Sequence, residues 1–198
     1  MTDIFDRAYW EDRYAAPGLT WSGAPNAVLL TEAADLTPGR ALDIGSGEGG
    51  DALWLAKNGW RVTGVDIADN ALAKARASTE AADPRAAELI TWEQHDLTAW
   101  APEPRSFDLV TSHFMHLPGP ARETLFRALA AAIAPGGTLL IVGHDVSAHH
   151  AHHDDLMFGV DDVLAAIDGE GLAVEVAESR ERVDVAMRDI VVRATRAA

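Results

Sequence analysis

The chain has 198 residues, no cysteine, and a formal net charge of −15, with 31 acidic against 16 basic side chains. That length suits one domain with a full-sized core. Without cysteine, disulfides, thiolate metal sites and cysteine nucleophiles are excluded together. A composition this acidic, with no basic stripe, argues against nucleic acid or an anionic membrane surface as a partner.

No apolar run approaches the length needed to span a bilayer, and Met1-Thr2-Asp3-Ile4-Phe5-Asp6 lacks the basic and apolar regions of a secretory signal. The expected compartment is the cytoplasm. Lys57 and Lys74 are the only lysines and alanine is abundant, a composition that suits a GC-rich bacterial genome.

Residues 1–37 precede the first core strand. A helix is expected over about Asp6–Ala16, with Phe5, Tyr9, Trp10 and Tyr14 near one face, broken by Pro17-Gly18. Trp21 to Asn26 reads as a turn into a second amphipathic helix, about Ala27–Ala34. The many aromatics suit a helical cap over the rest of the chain, and residues 1 to about 24 are expected to close over a ligand.

From Pro38-Gly39 onward, strand and helix signals alternate. Expected strands are Arg40–Ile44, Trp60–Val65, Glu88–Glu93, Phe107–Thr111 and Thr138–Val142. The helices between them run over about Gly49–Asn58, Asn70–Ala82 (stopped by Asp83-Pro84) and Pro120–Ala134 (stopped by Pro135-Gly136-Gly137). A histidine-rich loop, His149 to Asp155, leads to a helix at about Val160–Asp168. Its histidines lack an ordered ligand framework, so it reads as a solvated loop or substrate lid, and no metal site is expected. The tail has two alternating apolar runs, Leu172–Val176 and Ile190–Ala194, joined by a charged linker, Glu178–Arg188.

Such alternation calls for a parallel sheet covered on both faces, and two final strands without a helix between them call for a hairpin. The expected fold is α/β: a Rossmann-like, doubly wound seven-stranded sheet with a C-terminal antiparallel hairpin and an N-terminal helical cap. The expected organisation is a single domain over 1–198, with the cap at 1–37 and the core at 38–198.

Function concentrates in Ala41-Leu42-Asp43-Ile44-Gly45-Ser46-Gly47-Glu48-Gly49-Gly50, a short buried strand, a glycine-rich turn and a helix start. Such a turn lets the main chain approach a polar ligand and offers it unpaired N–H groups. Two ligands compete. Gly45-x-Gly47-x-x-Gly50, with Asp66 about twenty residues on, satisfies the dinucleotide fingerprint. Yet Asp43, Glu48 and Asp51 would crowd an anionic pyrophosphate, whereas a ligand carrying a sulfonium and an ammonium tolerates nearby acids.

Asp43 to Gly49, written Asp-x-Gly-x-Gly-x-Gly, resembles motif I of the class I S-adenosylmethionine-dependent methyltransferases. Val62-Thr63-Gly64-Val65-Asp66 resembles motif II, and His95-Asp96-Leu97 the adenine-contacting motif. Phe107-Asp108-Leu109-Val110 and Pro135-Gly136-Gly137 resemble the segments around strands four and five. The small form with a helical cap is similar to the tellurite-resistance and thiopurine methyltransferases.

The resemblance implies S-adenosylmethionine as cofactor, with Asp66 on the ribose hydroxyls, Asp96 on the adenine amino group and Leu97 at the ring edge. It implies Asp43, Gly45, Ser46 and Gly47 around the methionine part, with Ile67 and Ser112 beside the cofactor. Arg13 or Tyr14 is expected near the methionine carboxylate, and Trp21 belongs to the same cap. Ser112-His113-Phe114-Met115 replaces the Asn/Asp-Pro-Pro-aromatic run of base-amine methyltransferases, so a small-molecule acceptor is expected. His116 and His113 are the candidates for acceptor handling, sharing a face if that segment is helical; His144 also falls near a strand end. The rival readings are a non-catalytic cofactor-binding partner protein and a nicotinamide-dependent oxidoreductase.

Overall fold

The computed structural model describes residues 5–145, 156–182 and 188–198. The expectations for the His149–Asp155 loop, and for part of the charged tail linker, lie outside these residues. The chain divides into two compact units, Met1–Trp100 and Ala101–Ala198.

Unit one contains α1 (Arg7–Arg13), α2 (Ala27–Glu32), β1 (Arg40–Ile44), α3 (Gly50–Lys57), β2 (Arg61–Asp66), α4 (Asp69–Ala82), α5 (Pro84–Ala87) and β3 (Ile90–Gln94). Its strands are parallel in the order β3-β2-β1. Leu42, Ile44, Val62 and Val65 on the strands, with Leu55 of α3 and Leu72 of α4, are buried. This is the continuous apolar character that a sheet covered on both faces requires.

The register sets the site. Asp43 lies opposite Gly64, and Asp66 opposite Gln94, so the ends of all three strands stand level. Pro84 does not merely stop α4. It occupies the first turn of α5, where its missing N–H is no loss, and Asp83 caps that short helix by accepting from Ala86 N–H at 3.1 Å.

Unit two contains β4 (Phe107–His113), α6 (Gly119–Ala132), β5 (Ile133–His144), α7 (Val160–Ile167), β6 (Leu172–Glu181) and β7 (Arg188–Arg196). The strand order is β4-β5-β7-β6, with β4 and β5 parallel and the last two strands an antiparallel hairpin. The hairpin extends well beyond the two apolar runs. Its charged residues pair within the hairpin, Glu175 with Arg193 at 2.9 Å and Glu181 with Arg188 at 3.1 Å, so exposed strand continues where apolar patterning stops.

β5 begins earlier than expected, at Ile133. Ile133 lies opposite Phe107 and Thr138 opposite Leu109, so Pro135-Gly136-Gly137 forms an excursion inside the pairing. The seven strands make the mixed sheet of a Rossmann-like α/β fold.

Candidate functional site

The glycine turn follows β1 directly. Gly45 and Ser46 donate their N–H groups to the Val65 carbonyl at 2.9 and 3.0 Å, which folds the turn back over β2. Gly47, at φ +52°, then donates its N–H to Asp66 Oδ2 at 2.9 Å. A Cβ on Gly47 would stand 3.2 Å from the Tyr14 hydroxyl, and one on Gly50 only 2.8 Å from the Ala24 carbonyl oxygen. The turn is therefore glycine-rich for two reasons: left-handed backbone, and close approach of the N-terminal segment.

Asp66 is buried and spends both carboxylate oxygens on main chain: Oδ2 on Gly47 N–H and Oδ1 on Ala68 N–H at 3.0 Å. Burial pushes its pKa up, against the N–H groups of Ala68, Gly47 and Ile67, which pull it down. Each oxygen keeps a second lone pair for a hydroxyl. Ile67 is fixed through its carbonyl, which accepts from Gln94 Nε2 at 3.0 Å.

The His95 N–H donates to the Asp66 carbonyl at 3.1 Å, and this brings Asp96 to the same strand edge. Asp96 Oδ1 accepts from both Thr98 N–H and Thr98 Oγ1, at 2.9 and 2.7 Å, and no described residue takes Oδ2. Leu97 follows in that turn. Asp43 is buried on β1. Ser46 Oγ is buried with no hydrogen-bond partner among the described residues. An orphaned hydroxyl of this kind, beside glycine main chain and carboxylate lone pairs, fits a polar ligand that completes its bonding.

The N-terminal segment is tied to this turn. Glu48, 5% exposed, accepts Thr20 N–H on both oxygens at 2.7 and 2.9 Å, Trp21 N–H at 2.9 Å, and the Lys74 ammonium at 3.3 Å. Burial would raise the Glu48 pKa, but these donors outweigh it and the net shift is downward. Asp51 Oδ1 accepts from Asn26 N–H at 2.5 Å. Two of the acids that stand beside the turn in sequence thus hold the cap.

α4 has no side-chain cap of its own, because Ala68 stands at its N-cap. Glu11 of α1 supplies one, accepting from Asp69 and Asn70 N–H at 2.9 and 3.0 Å. Tyr14 packs with Ala68, Ala71 and Trp10. Its hydroxyl oxygen accepts from the Trp21 indole at 3.0 Å, and no described residue accepts its proton. Burial, with the charges of Asp66 and Glu48, pushes its pKa up to about 12. The Arg13 guanidinium lies 4.8 Å over the Trp21 ring.

In unit two, Ser112 is fully buried on β4 opposite Ile141, and His113 ends that strand opposite Val142. His113 and His116 do not share a helical face. Phe114, at φ +52°, turns the chain out of the strand, and α6 starts only at Gly119. The Phe114 ring stacks on His144 at 4.6 Å, and the His116 ring lies 6.2 Å from His144.

Sequence reading missed Glu48 and Asp51 as anchors, Glu11 as a cap for another helix, and the partners of His144. His144 Nδ1 lies 3.3 Å from Asp189 Oδ1, and Asp189 Oδ2 accepts from Arg182 Nε at 2.6 Å. Burial raises the Asp189 pKa, but His144 and Arg182 together hold it below the usual carboxylate value. The spacing of 45 residues left no local signal for the His144–Asp189 pair.

Residues 41–137 match the family model described as "Methyltransferase domain". Methyltransferase GfsG of Streptomyces halstedii is 28% identical over 189 residues, which is 93% of this chain and 63% of that protein. Trans-aconitate 2-methyltransferase of Rhizobium meliloti (strain 1021) is 38% identical over 120 residues, 59% of this chain and 43% of that protein. The chain thus spans less than two thirds of either relative. A solved structure titled "Conversion of a Disulfide Bond into a Thioacetal Group during Echinomycin Biosynthesis" shares the fold, with a TM-score of 0.74 at 23% identity, over 96% of this chain and 92% of that one. Ordered motifs, family model and fold agree: residues 41–137 carry a class I S-adenosylmethionine-dependent methyltransferase domain.

Proposed function

We propose that this protein transfers a methyl group from S-adenosylmethionine to a small-molecule acceptor. The observation that carries the reading is the turn after β1, where Gly47 N–H is bound to Asp66 and the buried Ser46 hydroxyl lacks a partner. When bound, the cofactor supplies an electrophilic methyl group on sulfur.

In this reading Asp66 accepts from the ribose hydroxyls through its remaining lone pairs, and Asp96 Oδ2 accepts from the adenine amino group. Gly45, Gly47 and Ser46, with Asp43 behind them, surround the methionine part, and Ile67 and Leu97 flank the nucleoside. Tyr14, which has a hydroxyl proton to give, meets the methionine carboxylate. Arg13 supports the cap through Trp21. Ser112 is assigned to the cofactor and His113 and His116 to the acceptor. The chain acts as one catalytic domain.

The small-molecule assignment draws support from the net charge of −15 and from the trans-aconitate methyltransferase relative. Holding the two reactants aligned and dry supplies most of the acceleration in such a displacement, roughly 7–11 kcal/mol where geometry is good. Two measurements test the reading: calorimetric titration with S-adenosylhomocysteine, and S-adenosylhomocysteine release during incubation with a panel of phenols, carboxylic acids, thiols and thiocyanate. Binding with no release across acceptor classes would favour a cofactor-binding partner protein instead.

A further inference from the structure

His144 closes β5 and is paired in register with Asp189 of β7. A carboxylate only accepts hydrogen bonds, so in the neutral imidazole the contact from Nδ1 to Asp189 Oδ1 puts the proton on Nδ1 and leaves Nε2 with a lone pair. No described residue takes Nε2, and the side chain is 21% exposed. One face of the ring is stacked on Phe114, which its left-handed backbone holds in place, so the imidazole is fixed in orientation as well as in tautomer.

The surrounding charges are accounted for. Asp189 is shared with Arg182, whose guanidinium also lies 4.5 Å over the Phe114 ring. On the strands alongside, Asp145 accepts from the Ser179 hydroxyl, while Arg188 donates to Ser179 Oγ at 2.9 Å and pairs with Glu181 at 3.1 Å. His116 is the other histidine within reach, at 6.2 Å between ring centres. His144 is therefore held at one nitrogen and open at the other, at the carboxyl end of a strand, the edge where ligands bind in such sheets.

We propose that His144 is the general base for an acceptor that presents a hydroxyl group, with Asp189 as the residue that positions it. The proposal rests on the methyltransferase reading above. In the step, a bond forms between the acceptor oxygen and the methyl carbon while the carbon–sulfur bond breaks and its electron pair passes to sulfur. The hydroxyl proton moves to His144 Nε2. An acceptor that is already an anion, such as a carboxylate or thiocyanate, has no proton to lose and no use for this arrangement. The acceptor class is therefore a phenol or enol, neutral in water near pH 7.

The first test needs no acceptor. Long-range 15N NMR of the wild-type protein at pH 8 should show His144 as the Nδ1–H tautomer, and an Nε2–H tautomer would overturn the proposal. The second test compares wild type with His144→Gln on phenol, catechol, benzoate and thiocyanate. Wild type should prefer the hydroxyl acceptors. The variant should lose about 10²- to 10⁴-fold in their methylation, and with it the acid limb of the pH–rate profile, while binding S-adenosylhomocysteine as before.

A structural tie between β5 and β7 would lower stability in the variant and leave that limb in place, which would overturn the proposal. Turnover of thiocyanate or benzoate alone would also overturn it, leaving the methyltransferase reading intact. Failure of the wild type to bind S-adenosylhomocysteine would instead remove the reading on which the proposal rests. Should His144→Gln not fold, the wild-type tautomer still decides.

Discussion

Replacing Glu48 with Gln should release the N-terminal segment without unfolding the sheet. The carboxylate serves Thr20 N–H, Trp21 N–H and the Lys74 ammonium. Gln keeps one accepting oxygen and sets an NH2 group where the other stood, facing donors. In either orientation that NH2 stands against Thr20 N–H, either Trp21 N–H or the Lys74 ammonium loses its acceptor, and the charge assistance to the rest disappears. A hydrogen bond to a charged group is worth about 1.5–3 kcal/mol, and an unsatisfied buried donor costs about 1–3 kcal/mol.

Because these two effects overlap, the expected weakening is about 2–4 kcal/mol, roughly 30- to 700-fold in the opening equilibrium. Hydrogen exchange reads this directly, because the Thr20 and Trp21 amides are the groups that Glu48 holds. Their protection should fall by that factor while β1 and β2 amides keep theirs. Equal loss across segment and sheet would mean that Glu48 belongs to the cooperative core. Unchanged exchange at Thr20 and Trp21 would mean that the segment is held by something else.

Asp66→Ala should weaken S-adenosylmethionine binding by about 1.5–3 kcal/mol in calorimetry; affinity unchanged in a folded variant would remove Asp66 from the site. Gly50→Ala sets a Cβ 2.8 Å from the Ala24 carbonyl, and overpacking of that kind typically costs about 1–3 kcal/mol, visible as a lower Tm. Ultraviolet titration should show Tyr14 neutral until about pH 12, a late phase that Tyr14→Phe removes. Because that pKa is raised, Tyr14 contributes stability that is complete below about pH 10 and lost as pH climbs toward 12. Glu48 has the opposite sign. Its pKa is lowered on folding, so its contribution is present above the unfolded value of about 4.3 and lost as pH falls through the folded one.

The sheet was legible because its signals are local. Apolar strands bounded by Gly and Pro, then Asp66 at a strand end, are written within a few residues of one another. The C-terminal hairpin was legible only where it is apolar. Beyond Val176 β6 is largely exposed and ends on the charged pair of Glu181 with Arg188, which reads in sequence as a linker, although the β7 residues opposite it, Asp189 to Val192, are buried. The acids beside the glycine turn were read as neighbours of a ligand. Glu48 and Asp51 instead face Thr20, Trp21 and Asn26, about 25 residues away, and no periodicity announces such a pairing. His113 and His116 would share a face only if their segment were helical, and the left-handed Phe114 between them is a turn that sequence pattern does not reveal.

The grip of Glu48 and Asp51 on the cap passes through the amides of Thr20, Trp21 and Asn26. It asks that none of the three be proline, and at Thr20 alone it also engages the side chain, whose hydroxyl bonds Glu48 and accepts from Lys74 at 3.3 Å. Trp21 adds a tie of its own, through its indole on the Tyr14 hydroxyl and its ring under Arg13, so within residues 19–22 it is Leu19 and Ser22 whose side chains are free to be rewritten while the docking is kept. Specificity engineered on this chain would begin there: a library at Leu19 and Ser22 varies the surface the cap offers and leaves untouched the anchors that seat it.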